Sequence, residues 1–306
     1  MRPRKYTVYD VFTQSVLSGN PLAIVLDAEG LDDAQMQKIA GEFNLSETVF
    51  VRPPENPVHT ANIRIFTPRT ELPFAGHPTV GTAVALAQCN GGEEGSDRNT
   101  SIIVLEEKVG PVRCAVTTGR GTAFAEFDLP LLPERLAFDV PAESVAAALG
   151  LAYNQIGFEN HVITGWSAGV PYICVPVTDL RAAAQVRLDG ALWRDLVQSD
   201  SDIMADPYVY CRETVNHDCS FHARMFAPDA GIAEDPATGS AAAAFAGAIL
   251  MHDEPVDGAY GFWIEQGIEM GRPSRIRLEM DVASRKLEGA RIGGGAVKVA
   301  EGALYL

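Results

Sequence analysis

No Cys-x-x-Cys pair occurs in the sequence, and its five cysteines, Cys89, Cys114, Cys174, Cys211 and Cys219, are odd in number. That suggests neither a zinc ribbon nor a closed disulfide framework, and it points to a reducing, cytoplasmic setting. The six histidines show no metal-ligand spacing, so no metal is expected. No apolar run approaches the roughly 20 residues a membrane helix needs. The basic start, Met1-Arg2-Pro3-Arg4-Lys5, is not followed by the apolar stretch of a signal peptide. Positive charge is scarce: 24 Lys and Arg against 40 Asp and Glu leave a net charge of −16. This disfavours nucleic acid and anionic membranes as partners, yet local donors can still hold a small anion. A phosphate loop is missing too. Gly293-Gly294-Gly295 leads into a β-like run, Ala296 to Val299, where a phosphate loop needs a helix.

What remains is an ordinary globular composition, 47% hydrophobic and 21% charged over 306 residues, long enough for two domains. One stretch stands out, Gly231-Ile-Ala-Glu-Asp-Pro-Ala-Thr-Gly-Ser followed by Ala241 to Met251. Pro236 restricts the residue before it to extended backbone, and Thr238 or Ser240 can accept from the first free N–H groups of a helix. The alanine-rich run that follows has high helix propensity and is apolar on every side, so it has to be enclosed on every side. The entrance carries small and polar residues whose free N–H groups suit an anion. An ordinary capped core helix reads the same way.

An internal repeat organises the rest. Arg64-Ile65-Phe66-Thr67-Pro68 is echoed by Arg224-Met225-Phe226-Ala227-Pro228, and Glu71 to Thr79 by Glu234 to Ser240. Each copy then enters a small-residue apolar helix, Val80 to Cys89 or Ala241 to Met251. Upstream runs Glu47–Val51 and Pro207–Cys211, and downstream segments Val109–Arg113 and Met270–Arg275, keep the same order. The repeat predicts two similar lobes, residues 1–130 and 131–306, with the last strand free to cross back to the first. Their junction is the Pro-punctuated Phe127–Pro133. Short β-like runs at turn-separated intervals predict curved, mostly antiparallel sheets, an α+β architecture in which each sheet or barrel wraps a central apolar helix. An amphipathic helix is expected over Asp32–Phe43, and another over Glu143–Leu149.

These motifs resemble the PhzF-like family of phenazine-biosynthesis isomerases: Asp10-Val11-Phe12-Thr13, Gly19-Asn20-Pro21, Asn44-Leu45-Ser46-Glu47-Thr48, Phe66 to Thr79, Glu234 to Ser240, Glu265-Gln266-Gly267 and Met270-Gly271-Arg272-Pro273. The resemblance implies a diaminopimelate-epimerase-like fold, with the active site between the lobes. It implies an isomerase that needs no cofactor, works as a homodimer, and moves a proton and double bond in a small carboxylate substrate. By the same resemblance Glu47 is the acid/base, and His77 and Asp235 contact substrate. Gly76, Gly239 and Ser240 offer donors at the two helix entrances, and Asn20 is a further contact. Glu71 reads as a loop tether. Amino-acid epimerases of that fold carry a cysteine at each helix entrance, but here the entrances read Ala75-Gly76-His77-Pro78 and Ala237-Thr238-Gly239-Ser240, which disfavours two-thiol racemisation. An amino- or hydroxy-acid epimerase stays open as an alternative, as does a non-catalytic dimeric binding protein on the same fold.

Overall fold

The computed structural model describes residues 3–90, 99–119, 122–200 and 204–306. The chain divides into two units. The first comprises 1–130 together with Arg272–Arg275 and Ile292–Leu306, and the second comprises Leu131–Gly271 with Ile276–Arg291.

The first unit contains β1 (Pro3–Val11), β2 (Asn20–Val25), α1 (Asp33–Phe43), β3 (Glu47–Arg52), β4 (Ala61–Phe66), β5 (Glu71–Leu72), α2 (Gly76–Asn90), β6 (Asn99–Glu107), β7 (Gly110–Gly119) and β8 (Thr122–Asp128). The second contains β9 (Glu134–Leu136), α3 (Ala142–Ala148), β10 (Thr164–Ser167), β11 (Pro171–Pro176), α4 (Leu180–Gln185), α5 (Gly190–Asp200), β12 (Asp206–Cys211), β13 (Phe221–Ala227), β14 (Ile232–Asp235), α6 (Gly239–Asp253) and β15 (Gly258–Gln266). Two long strands, β16 (Ser274–Ala283) and β17 (Lys286–Tyr305), complete the chain.

The first unit is a closed eight-stranded barrel. Its wall runs β1, β2, β3, β4, β6, β7, β8 and the second half of β17, which returns to pair with β1. Most pairs are antiparallel, but β2/β3 and β4/β6 are parallel. A parallel pair needs a crossover, and α1 and α2 supply them. Because α2 is the β4-to-β6 crossover, the chain carries it into the barrel, where it packs against β1, β2, β3, β6, β7 and β8. Phe74 to Ala85 are all buried as a result. The second unit repeats this pairing order: β11/β12 parallel, β12/β13 and β13/β14 antiparallel, β13/β15 parallel. Its central helix, α6, lies against β9, β10 and β11 and buries Gly239 to Ile249.

Glycine lets both central helices approach their walls. A Cβ on Gly81 would meet Leu22 Cδ2 and Val11 Cγ2 at 2.7 Å, and one on Gly247 would meet Trp166 Cε3 at 2.3 Å. Those clashes outweigh the roughly 1 kcal/mol that glycine costs inside a helix. Phe245 fills the centre of the second unit, with its ring 4.4 Å from that of Tyr210 and 4.9 Å from that of Phe221.

On the flank of the barrel, α1 begins at N-cap Asp32, whose carboxylate accepts from Gln35 N while the Gln35 side chain accepts from Asp32 N. Such a cap stabilises a helix by about 1 kcal/mol. The helix ends on left-handed Asn44 and buries Met36, Ile39 and Ala40 against Val25, Phe50 and Phe66. In the second unit α3, α4 and α5 cover a separate cluster that includes Val145, Ala183, Trp193, Val209 and Phe226.

Two sequence expectations need correcting, and a third is extended. Phe127 and Asp128, assigned to the junction, belong to β8, whose Ala123, Ala125 and Phe127 face the core. The β-like run Ala296–Val299 is a strand as expected, and it extends to 20 residues that include the three glycines. Those glycines sit where Phe124, Phe12 and Thr13 leave no space for a Cβ. Thr238 is the N-cap of α6, but its side chain accepts nothing from the helix.

Candidate active site

In the first unit, three candidates stand at the starts of their elements. Asn20 opens β2, Glu47 opens β3, and His77 is the second residue of α2. Strands β2 and β3 run parallel with Leu22 opposite Glu47, so Asn20 and Glu47 emerge from the same end of the barrel. The three side chains meet at the imidazole: Nδ1 of His77 lies 3.3 Å from Nδ2 of Asn20 and 3.3 Å from Oε2 of Glu47. Asn20 is fully buried and His77 is 3% exposed, while the Glu47 side chain keeps 12% of its surface. Burial holds the His77 pKa down at about 3, so the ring is neutral at ordinary pH. Its other nitrogen, Nε2, is buried without a hydrogen-bond partner.

The loop that presents Asn20 is held from far along the chain. Arg272 donates from Nη2 to Asp10 Oδ1 at 2.6 Å and to Ser18 O at 2.8 Å, and from Nε to Gly19 O at 2.7 Å. Asp10, 2% exposed, takes a further bond from Leu17 N on its other oxygen. Gly19 has φ +68°, and a Cβ there would fall 2.3 Å from Val11 O, so only glycine fits this turn. The entrance of α2 follows from Pro78. The first helical bond is Thr79 N to Ala75 O, and Pro78 has no N–H, which leaves Gly76 and His77 as the donors ahead of it. Glu71 is a tether: it pairs with Arg64, with Nη2 to Oε2 at 2.6 Å, and with Lys108.

In the second unit Asp235 ends β14, 4% exposed, and accepts from Thr238 Oγ1 at 2.5 Å. Thr238 therefore donates its hydroxyl to an acid, and its oxygen does not accept from the N–H groups of the helix. Gln266 donates to Asp235 O at 2.8 Å and to Thr238 Oγ1 at 3.0 Å. The first helical bond of α6 is Ala242 N to Thr238 O, so the N–H groups of Gly239 and Ser240 precede it. The Ser240 hydroxyl is bonded to Tyr172 OH at 2.8 Å.

The model of phenazine biosynthesis-like proteins matches residues 9–302. The chain belongs to this family. An uncharacterized isomerase from Mesorhizobium japonicum is 60% identical, with all of both chains covered. The trans-2,3-dihydro-3-hydroxyanthranilate isomerase of Pseudomonas aeruginosa is 35% identical, covering 99% of each chain. The crystal structure of a PhzF-family phenazine biosynthesis protein from Bacillus anthracis superposes over all of both chains with a TM-score of 0.88 at 29% identity. The chain is an isomerase of the phenazine biosynthesis-like family.

Several polar contacts of the isomerase leave no signature in the sequence. Asp10 and Arg272 are 262 positions apart and carry no local signature of pairing. Buried His222 lies between buried Glu265 at 2.9 Å and the more exposed Glu269 at 3.0 Å, forming a charged triad. Burial alone would depress its pKa, but the two carboxylates outweigh it and raise it to about 9. Among the described residues, no group of three or more His, Cys, Asp or Glu could hold a metal ion, and no helix is long and apolar enough to cross a membrane.

Proposed function

We propose that this isomerase shifts a proton, and with it a double bond, within a small carboxylate substrate, with Glu47 taking the proton from one carbon and returning it at another. No oxidant or external group is consumed: one carbon loses a proton to Glu47 and another gains one from it, and the partly exposed carboxyl exchanges that proton with solvent in between. The observation that carries this reading is the shared Nδ1 of His77. The ring is neutral, and if Asn20 donates to Nδ1, the ring proton sits on Nε2. Glu47 Oε2 lies 3.3 Å from the same nitrogen, beside a ring that carries no charge to hold the carboxyl ionised. A carboxyl group that can rest protonated beside a neutral imidazole, while keeping some exposure, suits both halves of a general acid–base cycle. Asn20 and His77 hold that carboxyl in place.

The substrate carboxylate is assigned to the backbone donors. Gly76 and His77 supply them at the start of α2, which favours negative charge, and the start of α6 offers donors of the same kind from Gly239 and Ser240. Asp235 is assigned to an amino or hydroxyl group of the substrate. The name of the Pseudomonas aeruginosa relative supports a cyclic, unsaturated amino-hydroxy acid as the substrate class. Epimerisation by paired thiols finds no support, because neither helix entrance has a cysteine.

The test is a thermal-shift screen of small unsaturated hydroxy and amino carboxylates, followed by proton NMR of each binder in heavy water. Wild type should incorporate deuterium at the shifted carbon after dialysis against a chelator. Glu47→Gln should bind with similar affinity while losing turnover by about a hundred- to ten-thousand-fold. Full turnover by Glu47→Gln would remove Glu47 from the mechanism.

A further inference from the structure

The two units grip the entrances of their central helices with the same position, filled by different chemistry. In the first, Glu106 accepts from the N–H groups of Glu55 at 2.7 Å and Asn56 at 2.8 Å. In the second, Glu265 accepts from those of Val215 at 2.6 Å and Asn216 at 2.9 Å. These clamps are counterparts, so the next residues, Glu107 and Gln266, are counterparts as well. Each reaches the start of its helix. Gln266 Nε2 donates to the Asp235 carbonyl and the Thr238 hydroxyl, and Glu107 Oε1 lies 2.7 Å from the hydroxyl of Thr79 in the first turn of α2.

Counting protons at Thr79 decides the direction of that last bond. Its Oγ1 is also 2.8 Å from the Ala75 carbonyl, four residues back, the usual acceptor of a helical threonine. A hydroxyl has one proton, and a carbonyl has none to give. With that proton committed to Ala75, the approach of Glu107 needs a hydrogen on the carboxyl. We propose that Glu107 is a neutral carboxylic acid which donates to Thr79, and that it does at the Ala75-Gly76-His77 turn what the amide of Gln266 does at Asp235 and Thr238. It is a positioning residue: the chain from Glu107 through Thr79 to the Ala75 carbonyl fixes the peptide that leads into Gly76 and His77. Its importance for turnover rests on the function proposed above, whereas the proton assignment does not.

The surroundings agree. Glu107 is 8% exposed, and among the described residues no cation pairs with it. Its neighbour Glu106 is committed to the 55–56 loop and His59, and Lys108 to Glu71. The titratable group nearby on β7 is Cys114, a buried thiol that burial holds protonated. Burial raises the Glu107 pKa to about 8, against a smaller lowering by Thr79. Its second oxygen, Oε2, is buried and unpartnered, which is tolerable for a carbonyl but costly for a carboxylate.

Carboxyl-carbon NMR of the full chain, labelled at glutamate side chains and titrated from about pH 4 to pH 10, tests the assignment. One resonance, missing from Glu107→Gln, should stay in its protonated position while the exposed glutamates titrate. Backbone amide spectra test the positioning role: Glu107→Gln should keep the wild-type shifts of Ala75, Gly76 and His77, and Glu107→Leu should move them. If every glutamate titrates below about pH 6, or if Gln displaces the turn as Leu does, the proposal fails. Should Glu107→Leu not fold, the wild-type titration and the Gln spectrum decide. None of these readouts uses turnover, so they stand apart from a failure of Glu47.

Discussion

Replacing Glu107 by glutamine should make the protein more stable than wild type at alkaline pH, by an amount that grows with pH in a defined window. An exposed glutamate loses its proton near pH 4.5, and Glu107 in the fold near pH 8. Between these values the folded chain holds a proton the unfolded chain has released. A raised folded pKa gives stability that is fully present below about pH 4.5 and is lost as pH rises through about 8. The slope is about 1.4 kcal/mol per pH unit, and over 3.5 units it accumulates to about 4–5 kcal/mol. Glutamine donates the same bond without that proton, so its stability should not contain this slope. The assay is urea denaturation of both proteins at matched pH values, which cancels every other titrating group. Trp166, Trp193 and Trp263 all belong to the second unit, so their fluorescence is blind to the region of interest. Circular dichroism, or hydrogen exchange of β6 and β7, reads the first unit. A stability difference that stays constant from about pH 5 to pH 8 would refute the reasoning.

Other outcomes follow from particular contacts. Gly247→Ala drives a methyl group into the Trp166 ring, 2.3 Å from Cε3, so it should cost about 1–3 kcal/mol and alter tryptophan fluorescence; an unchanged urea midpoint would contradict the packing. Arg272→Lys cannot reproduce three bonds in fork geometry and leaves buried Asp10 poorly paired. A loss of about 3 kcal/mol is expected, with faster exchange of the amides around Ser18 to Asn20. His222 contributes stability that is present below about pH 6.5 and lost as pH rises through about 9. Tryptophan-monitored unfolding should therefore weaken over that range, by up to about 3 kcal/mol, and flatten in His222→Gln.

How much of this was legible depended on whether a signal was local. The enclosure of α2 and α6 could be read from runs of alanine and small residues, because a helix with no polar face has nowhere else to go. The doubling could be read because the Arg64 and Arg224 segments share order as well as letters. By contrast, β8 was obscured at Phe127 by Leu129-Pro130-Leu131-Leu132-Pro133, which reads as an irregular connection although Ala123, Ala125 and Phe127 alternate inward. Helices α4 and α5 passed unread. At Thr238, sequence favours a capping acceptor, but the hydroxyl donates to Asp235 and accepts from the Gln266 amide, a partner 28 positions away that no local pattern signals. The equivalence of Glu107 and Gln266 lay within the repeat. It stayed hidden because a carboxylic acid and an amide look alike only when the acid keeps its proton, and burial decides that.

The return of β17 to the first barrel also has consequences during synthesis. When Asp128 leaves the ribosome the wall is still open, because the strand that pairs with β1 and β8 ends at Tyr305. The 177 residues between those points take roughly 9–35 s to add at ordinary translation rates. Throughout that interval β1 and β8 present unpaired backbone edges, and α2 lacks part of its enclosure. The second half-sequence can fold while the first waits for its closing strand. Cells making this isomerase therefore hold an open sheet on a nascent chain, a state in which chaperone binding or edge-to-edge misassembly competes with completion.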